Sequence, residues 1–414
     1  MTQKAVRAAV FYVIQLFWKM ILTEKEGSSI ICLSVNEKVG EKTMELYVHI
    51  PFCIKKCDYC DFLSFSMGSR EKKEYVSALK RELQAAAAEC EGETVSSVFL
   101  GGGTPSVLDE GQIEAILTCI KESYQLTEDC EISMEANPGT LHAEKLREYL
   151  QCGINRLSLG CQSTIEKELK SLGRIHSFEE FVENYEMARN IGFCNINVDL
   201  MSAIPGQDIK AWEKNLQTIA GLEPEHISAY SLIVEEGTPF YERELQLPSE
   251  EEERQMYEMK AEILEAYGFH QYEISNYAKK GKECRHNIGY WQRVDYLGVG
   301  LGASSLRHNC RFSNTRAMEK YLRDAGNPEK IRENREKLSV QDQMEEFMFL
   351  GLRMTEGISR KKFLKEFGKT LEEIYEQPLR KLEKLELLET EGDCVKLTRK
   401  GISLSNQVFV EFLF

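Results

Sequence analysis

Residues 47–62 read Tyr47-Val-His49-Ile-Pro51-Phe-Cys53-Ile-Lys-Lys-Cys57-Asp-Tyr59-Cys60-Asp-Phe62. Three cysteines stand there at C-x3-C-x2-C spacing, directly after the β-like run 46–50. Pro51 has no N–H to give a strand ladder, so the strand stops and the cysteines fall on a loop at its C-terminal end. A structural zinc site takes four closed ligands, usually from two separated pairs, and no second pair follows. A disulfide framework needs a secreted context and paired cysteines. A [4Fe–4S] cluster with three cysteine ligands fits better, because one iron then stays open to a small chelating ligand.

Downstream, helical and strand patterns alternate. A helix is expected at 70–91, then a strand at 95–100 running into Gly101-Gly-Gly-Thr104-Pro105. Helices at 109–123, 141–150, 178–191 and 208–220 alternate with strands at 131–135, 155–160, 195–201 and 226–232. Such alternation predicts a parallel sheet with right-handed crossovers. Sites in parallel barrels lie at the C-terminal ends of the strands, where the cysteine loop falls.

C-x3-C-x2-C after a first strand resembles the radical S-adenosylmethionine (SAM) proteins. The fuller wording YVHIPFC-x3-C-x-YC is similar to the group holding the oxygen-independent coproporphyrinogen III dehydrogenases and the HemW-type heme chaperones. The resemblance covers about residues 44–414. It implies an α/β fold built on a partial (β/α)6 radical SAM barrel. It also implies that the open iron binds the amino and carboxylate groups of SAM, which one-electron reduction cleaves to a 5′-deoxyadenosyl radical.

The glycines at 101–103 lack the Lys-Ser/Thr that completes a P-loop, and a tight strand-to-helix turn explains them equally. By resemblance, Gly102, Gly103 and Thr104 lie where backbone groups approach the SAM amine. Glu135, Gln162 and Asp199 end successive strands and read together as a clamp for ribose and amino acid. Singly, each is as readily a structural hydrogen-bonder. Arg174 offers a guanidinium fork for the SAM carboxylate. Tyr47 and Asn155-Arg156-Leu-Ser158 match the same pattern, with a scaffold ion pair as the alternative for Arg156.

A charged amphipathic helix is expected at 249–266. Cys284-Arg-His286-Asn287-Ile-Gly-Tyr290-Trp291 follows, then a glycine-rich loop at 296–305. An exposed His beside Asn and two aromatics can ligate and stack on a porphyrin, although a lone His is more often structural. His-Asn-x-x-Tyr-Trp resembles a HemW signature, which implies heme contact at His286. Residues 311–340 are expected to form a charged linker with short helices. Helices at 345–354, 360–367 and 371–387 precede a hairpin turning at Glu391-Gly-Asp, a winged-helix-like α+β arrangement. Glu372, Glu373, Glu376 and Glu383 on the third helix argue against DNA. The expected domains are an N-terminal extension at 1–43, the barrel at 44–240, its extension and linker at 241–340, and a C-terminal domain at 341–414.

At the position where the dehydrogenases typically carry another cysteine, two residues after Cys60, stands Phe62. The expected function is therefore a heme chaperone with a [4Fe–4S] cluster, SAM and heme, and no catalytic residue is assigned. The alternative is the dehydrogenase itself, decarboxylating two propionates of coproporphyrinogen III. The net charge of −15 excludes a generally basic, nucleic-acid-binding surface. The odd count of 13 cysteines suits a reducing cytoplasm. Cys90, Cys119, Cys130, Cys152, Cys161, Cys194 and Cys394 read as buried small residues. The apolar stretch 8–18 reads as a peripheral membrane anchor or, preferably, as part of an extension upstream of Met44. Expected partners are heme and heme-accepting respiratory proteins, with a monomer or homodimer as the assembly.

Overall fold

The computed structural model describes residues 42–414. The expectations for the N-terminal extension fall on residues 1–41, outside the described residues. Lys42 and Thr43 already belong to the first strand, β1 (Lys42–Ile50). Met44, Leu46, Val48 and Ile50 are fully buried on one face of β1, while Glu45, Tyr47 and His49 alternate onto the other.

The chain continues with α1 (Ser69–Ala86), β2 (Glu93–Gly102), α2 (Gln112–Ser123), β3 (Gln125–Ala136) and α3 (Ala143–Gln151). Then come β4 (Arg156–Gln162), α4 (Glu166–Ser171), α5 (Phe178–Ile191), β5 (Ile196–Ser202), α6 (Ile209–Ala220) and β6 (His226–Ser231). Each strand from β1 to β6 pairs in parallel with the next. Helices pack on the outer apolar face and form one large core with it. The inner face is polar: Glu45, Ser97, Glu131, Arg156, Asn197 and His226 are all buried there.

After α7 (Glu250–Ala266), the short strands β7 (His270–Gln271) and β8 (Asn276–Ala278) extend the β6 edge in antiparallel fashion. The helix α8 (Arg285–Trp291) follows. β9 (Tyr296–Val299) returns to the opposite edge, parallel to β1. β10 (Ser304–Arg307), β11 (Cys310–Asn314) and β12 (Arg332–Lys337) then add antiparallel strands. The twelve strands run in the order β12-β11-β10-β9-β1-β2-β3-β4-β5-β6-β8-β7, so the sheet does not close on itself and β12 and β7 form its edges.

The structure corrects three sequence expectations. Residues 296–305 are not simply a glycine-rich loop, because they contain β9 and enter β10. Glycine weakens strand signals, yet Gly298 is needed where its backbone lies against the Ser304 carbonyl. Residues 311–340 are not a linker, because β11 and β12 pair within them. β12 reads Arg-Glu-Asn-Arg-Glu-Lys, a charged edge strand with no apolar alternation to reveal it. Cys194 is exposed rather than buried, and Cys152 and Cys394 are half-buried.

The C-terminal part contains α9 (Val340–Gly351), β13 (Ile358–Ser359), α10 (Arg360–Phe367), α11 (Leu371–Lys384), β14 (Leu388–Glu391) and β15 (Cys394–Leu397). Its three strands form a separate antiparallel sheet in the order β13-β15-β14. A second core, including Phe347, Phe363, Tyr375, Leu382, Val395 and Phe412, lies between helices and hairpin. Reciprocal capping boxes start α5 (Ser177/Glu180), α7 (Ser249/Glu252), α9 (Ser339/Asp342) and α11 (Thr370/Glu373), each satisfying otherwise orphaned helix N–H groups.

Candidate cluster and cofactor site

The cysteine loop closes on itself at its neck. The Cys53 N–H donates to the Phe65 carbonyl at 3.0 Å, and the Phe65 N–H donates to Pro51 at 2.8 Å. Phe52 is buried edge-on against Tyr75, with ring centroids 5.2 Å apart. Farther along, the Asp58 N–H bonds the Leu172 carbonyl at 3.2 Å, and the Asp58 side chain pairs with Arg243 at 2.7 Å. The loop is thus pinned to β1 and to the turn preceding Arg174. This holds Cys53, Cys57 and Cys60 half-buried and unpaired at the C-terminal mouth of the barrel.

Each thiol has a donor or polar group beside it. The Cys53 Sγ lies 3.5 Å from Thr104 Oγ1, and Arg174 Nη1 lies 3.6 Å from the Cys57 Sγ. The Phe62 backbone N–H serves Cys60, whose thiol burial nevertheless pushes up to about 11. Among the described residues, the only group of three or more His, Cys, Asp and Glu side chains whose ligand atoms all lie within 4.8 Å of one another is Glu93, Asp295 and His308. The three thiols are therefore spread wider than the ligand shell of a single ion. That spread and the all-thiol donor set fit an iron–sulfur cluster, in which each thiolate takes its own iron.

Gly102 and Gly103 sit at the neck itself. A Cβ on Gly103 would stand 2.6 Å from the Phe52 carbonyl oxygen, and one on Gly102 would overlap the His49 ring. The glycines are thus required first by the close approach of β2 to the cysteine loop. Thr104 is buried, and its N–H donates to the Phe52 carbonyl at 2.7 Å.

Tyr47, Glu135, Asp199, Gln162 and Arg174 all come to the same end of the barrel. Glu135 accepts the Gly102 N–H at 3.1 Å. Burial, followed by the Asp199 charge, raises its pKa from 4.5 to about 8. Asp199 accepts from Asn197 at 2.7 Å, and burial raises its pKa as well. Two carboxylates that resist ionisation together form a receptor for a ligand ammonium or hydroxyl group. Gln162 adopts φ +69° where the β4–β5 register shifts, and its Oε1 accepts the Tyr230 hydroxyl at 2.9 Å. A non-glycine residue held in this left-handed region stores roughly 1–3 kcal/mol of strain. Arg174 is less free than a carboxylate fork requires, since Nη2 already donates to Asn137 at 2.6 Å and to the Gly160 carbonyl at 2.8 Å.

His286 is not exposed as expected, and of this group it meets Tyr47, with ring centroids 6.5 Å apart. It is 1% exposed, deeper in the barrel, stacked on Phe99 with centroids 5.2 Å apart. Its Nδ1 meets Ser97 Oγ at 2.8 Å and its Nε2 meets Tyr290 at 3.0 Å, so both ring nitrogens are engaged. Burial lowers its pKa to about 3, which keeps the ring neutral.

Sequence reasoning passed over two residues. The His49 Nε2–H donates to the Leu63 carbonyl at 3.0 Å, so Nδ1 accepts the Tyr47 hydroxyl at 3.0 Å. Asn137 bridges Thr104 and Arg174. His49 stands two positions beyond Tyr47 on the same face of β1, and Asn137 two positions beyond Glu135, just past the end of β3, which is the signal that marks them.

The fold and the thiol-bearing mouth define a radical SAM protein, and the Radical SAM superfamily model matches residues 47–219. The HemN C-terminal domain model matches residues 338–404. The chain is 39% identical over 375 residues to the heme chaperone HemW of Bacillus subtilis, covering 89% of this chain and 98% of that protein. It is 37% identical to the heme chaperone HemW of Lactococcus lactis, over 90% of this chain and 98% of that one. The chain belongs to the HemW family. The solved coproporphyrinogen III oxidase HemN of Escherichia coli shares the fold, with a TM-score of 0.79 at 23% identity over 90% of both chains.

Proposed function

We propose that this protein is a heme chaperone on a radical SAM scaffold. In this reading Cys53, Cys57 and Cys60 hold a [4Fe–4S] cluster, and Tyr47, Gly102, Gly103, Thr104, Glu135, Gln162, Arg174 and Asp199 form the SAM pocket. Heme passes on to respiratory hemoproteins in the cytoplasm. The observation that carries the reading is three pinned, unpaired thiols at the same barrel mouth as two buried carboxylates, Glu135 and Asp199, in a chain matching HemW proteins along nearly their whole length. When bound, the cluster supplies an electron and an open coordination site. The chain's own residues orient the ligand: Glu135 and Asp199 receive its cationic and hydroxyl groups, and the Tyr47–His49–Leu63 relay fixes the mouth beside them. Among the described residues no helix is long and apolar enough to cross a membrane.

Ligation of heme iron by His286 requires the ring to release Ser97 or Tyr290, because both nitrogens are occupied. His286→Ala tests that role directly: unchanged heme retention and transfer would remove His286 from the proposal. The function is tested anaerobically with reconstituted protein, SAM, a reductant and coproporphyrinogen III, followed by mass spectrometry and a heme titration. The expected result is stoichiometric heme binding without decarboxylated porphyrin. Formation of protoporphyrinogen would overturn the chaperone reading in favour of the dehydrogenase.

A further inference from the structure

We infer that Asn137 is a positioning residue that aims hydrogen-bond donors at two of the three cluster thiolates, Cys53 and Cys57. The inference rests on the reading that the cluster sits on these cysteines. Asn137 follows Ala136, the last residue of β3, and its backbone is fixed on both sides. Its N–H donates to Ser106 Oγ at 3.3 Å, and its carbonyl accepts Thr140 Oγ1 at 2.6 Å. Pro138 further restricts its backbone to extended conformations.

The side chain has one consistent orientation. Arginine only donates, so the Asn137 atom 2.6 Å from Arg174 Nη2 must be the carbonyl oxygen Oδ1. The amide Nδ2 then faces Thr104 and donates to its Oγ1 at 2.8 Å. A threonine hydroxyl has a single hydrogen. Its oxygen accepts from Asn137, and because a cluster-bound Cys53 thiolate carries no hydrogen, the hydroxyl is the donor of the 3.5 Å contact to the Cys53 Sγ. On the other side, Oδ1 and the Gly160 carbonyl hold Nη2, which leaves Nη1 facing the Cys57 Sγ at 3.6 Å. The chain Cys53–Thr104–Asn137–Arg174–Cys57 therefore crosses from one ligand to another through one amide. It also explains Gly160, where a Cβ would press to 2.6 Å from Asn137 Oδ1.

Hydrogen bonds to the coordinating sulfurs tune an iron–sulfur cluster's potential. Donors stabilise the more negative, reduced state, so their loss lowers the midpoint potential. Partners one step behind the ligands also govern how firmly metal is held. Asn137→Ala is thus expected to keep cluster uptake, lower the midpoint potential and speed iron loss to a chelator by about tenfold.

The test compares wild type, Asn137→Ala, Thr104→Val, Thr104→Ser and Asn137→Ala/Thr104→Val as cluster-loaded, full-length proteins. It reads iron and sulfide content, the midpoint by EPR-monitored titration, and the rate of chelator bleaching. Thr104→Ser keeps the hydroxyl and should titrate like wild type, while Thr104→Val should shift downward. The double variant should shift by less than the sum of its singles, because Asn137 acts partly through Thr104. A wild-type midpoint in Asn137→Ala, or fully additive shifts, would overturn the inference. If Asn137→Ala fails to fold, the Thr104→Ser and Thr104→Val pair decides: equal midpoints refute the aimed donor. Wild-type protein that takes up no iron would instead sink the cluster reading beneath it.

Discussion

Glu135 binds a proton in the folded protein that it would not hold in the unfolded chain. Burial and the neighbouring Asp199 raise its pKa from 4.5 to about 8. Between those values the folded state carries the extra proton, so stability falls as pH rises through the window and levels off above it. Glu135→Gln removes this dependence without removing the side chain's shape. Thermal unfolding of the ligand-free protein from about pH 5 to about pH 9 should give a flatter profile for the variant, with a higher Tm at the alkaline end. Parallel profiles for both proteins would refute the assignment. Residues such as Glu135 and Asp199 were legible as carboxylates closing apolar strands, where an unpaired charge is unfavourable. His49 and Asn137 were not, because their partners Leu63, Thr104 and Arg174 come from distant segments that meet only once the strands lie side by side.

The helix α8 shows how a recognisable motif can serve the scaffold. Its first N–H groups, from Arg285 and His286, donate to the Glu131 carboxylate at 3.1 and 3.3 Å. Gly289 rests directly on the Glu45 carboxylate, with no room for a Cβ, and Glu45 is 3% exposed. Gly289→Ala should therefore destabilise the protein by about 1–3 kcal/mol through overpacking, as measured by denaturant unfolding. Adding Glu45→Ala should recover part of that loss, and a wild-type midpoint for Gly289→Ala would contradict this docking. The motif was visible in sequence, but its burial was not, since seven residues with three aromatic rings fit an exposed platform and an internal plug equally well. Main barrel elements were legible for the opposite reason. Their apolar faces repeat with clear periods, and capping residues mark helix starts such as Ser177 and Ser249. β9 and β12 escaped because glycine in one and continuous charge in the other erase the alternation.

Across the whole molecule, the C-terminal part meets the barrel extension through charge as well as apolar packing. Glu346 on α9 is 3% exposed and pairs with Arg293 at 3.2 Å and Arg311 at 2.7 Å, both from the barrel side. Arg293 also reaches Glu366 on α10 at 2.8 Å, so one guanidinium ties two C-terminal helices to the sheet. A second bridge, Arg399 to Glu265, spans the same two parts at 3.4 Å but lies open to solvent. The two should differ sharply in weight. Removing a buried partner strands a desolvated charge, so Glu346→Ala should lower the unfolding free energy by about 3–5 kcal/mol. Arg399→Ala breaks a solvated pair and should change it by no more than about 1 kcal/mol. Denaturant titration followed by tryptophan fluorescence reads both, because Trp291 stacks under Arg353 of the C-terminal part, with the guanidinium 4.3 Å from the ring centre. Equal effects from the two variants would mean that apolar contact alone joins the parts. A loss confined to Glu346→Ala, with Trp291 emission changing before the barrel unfolds, identifies the buried pair as the joint that holds the C-terminal helices against the sheet.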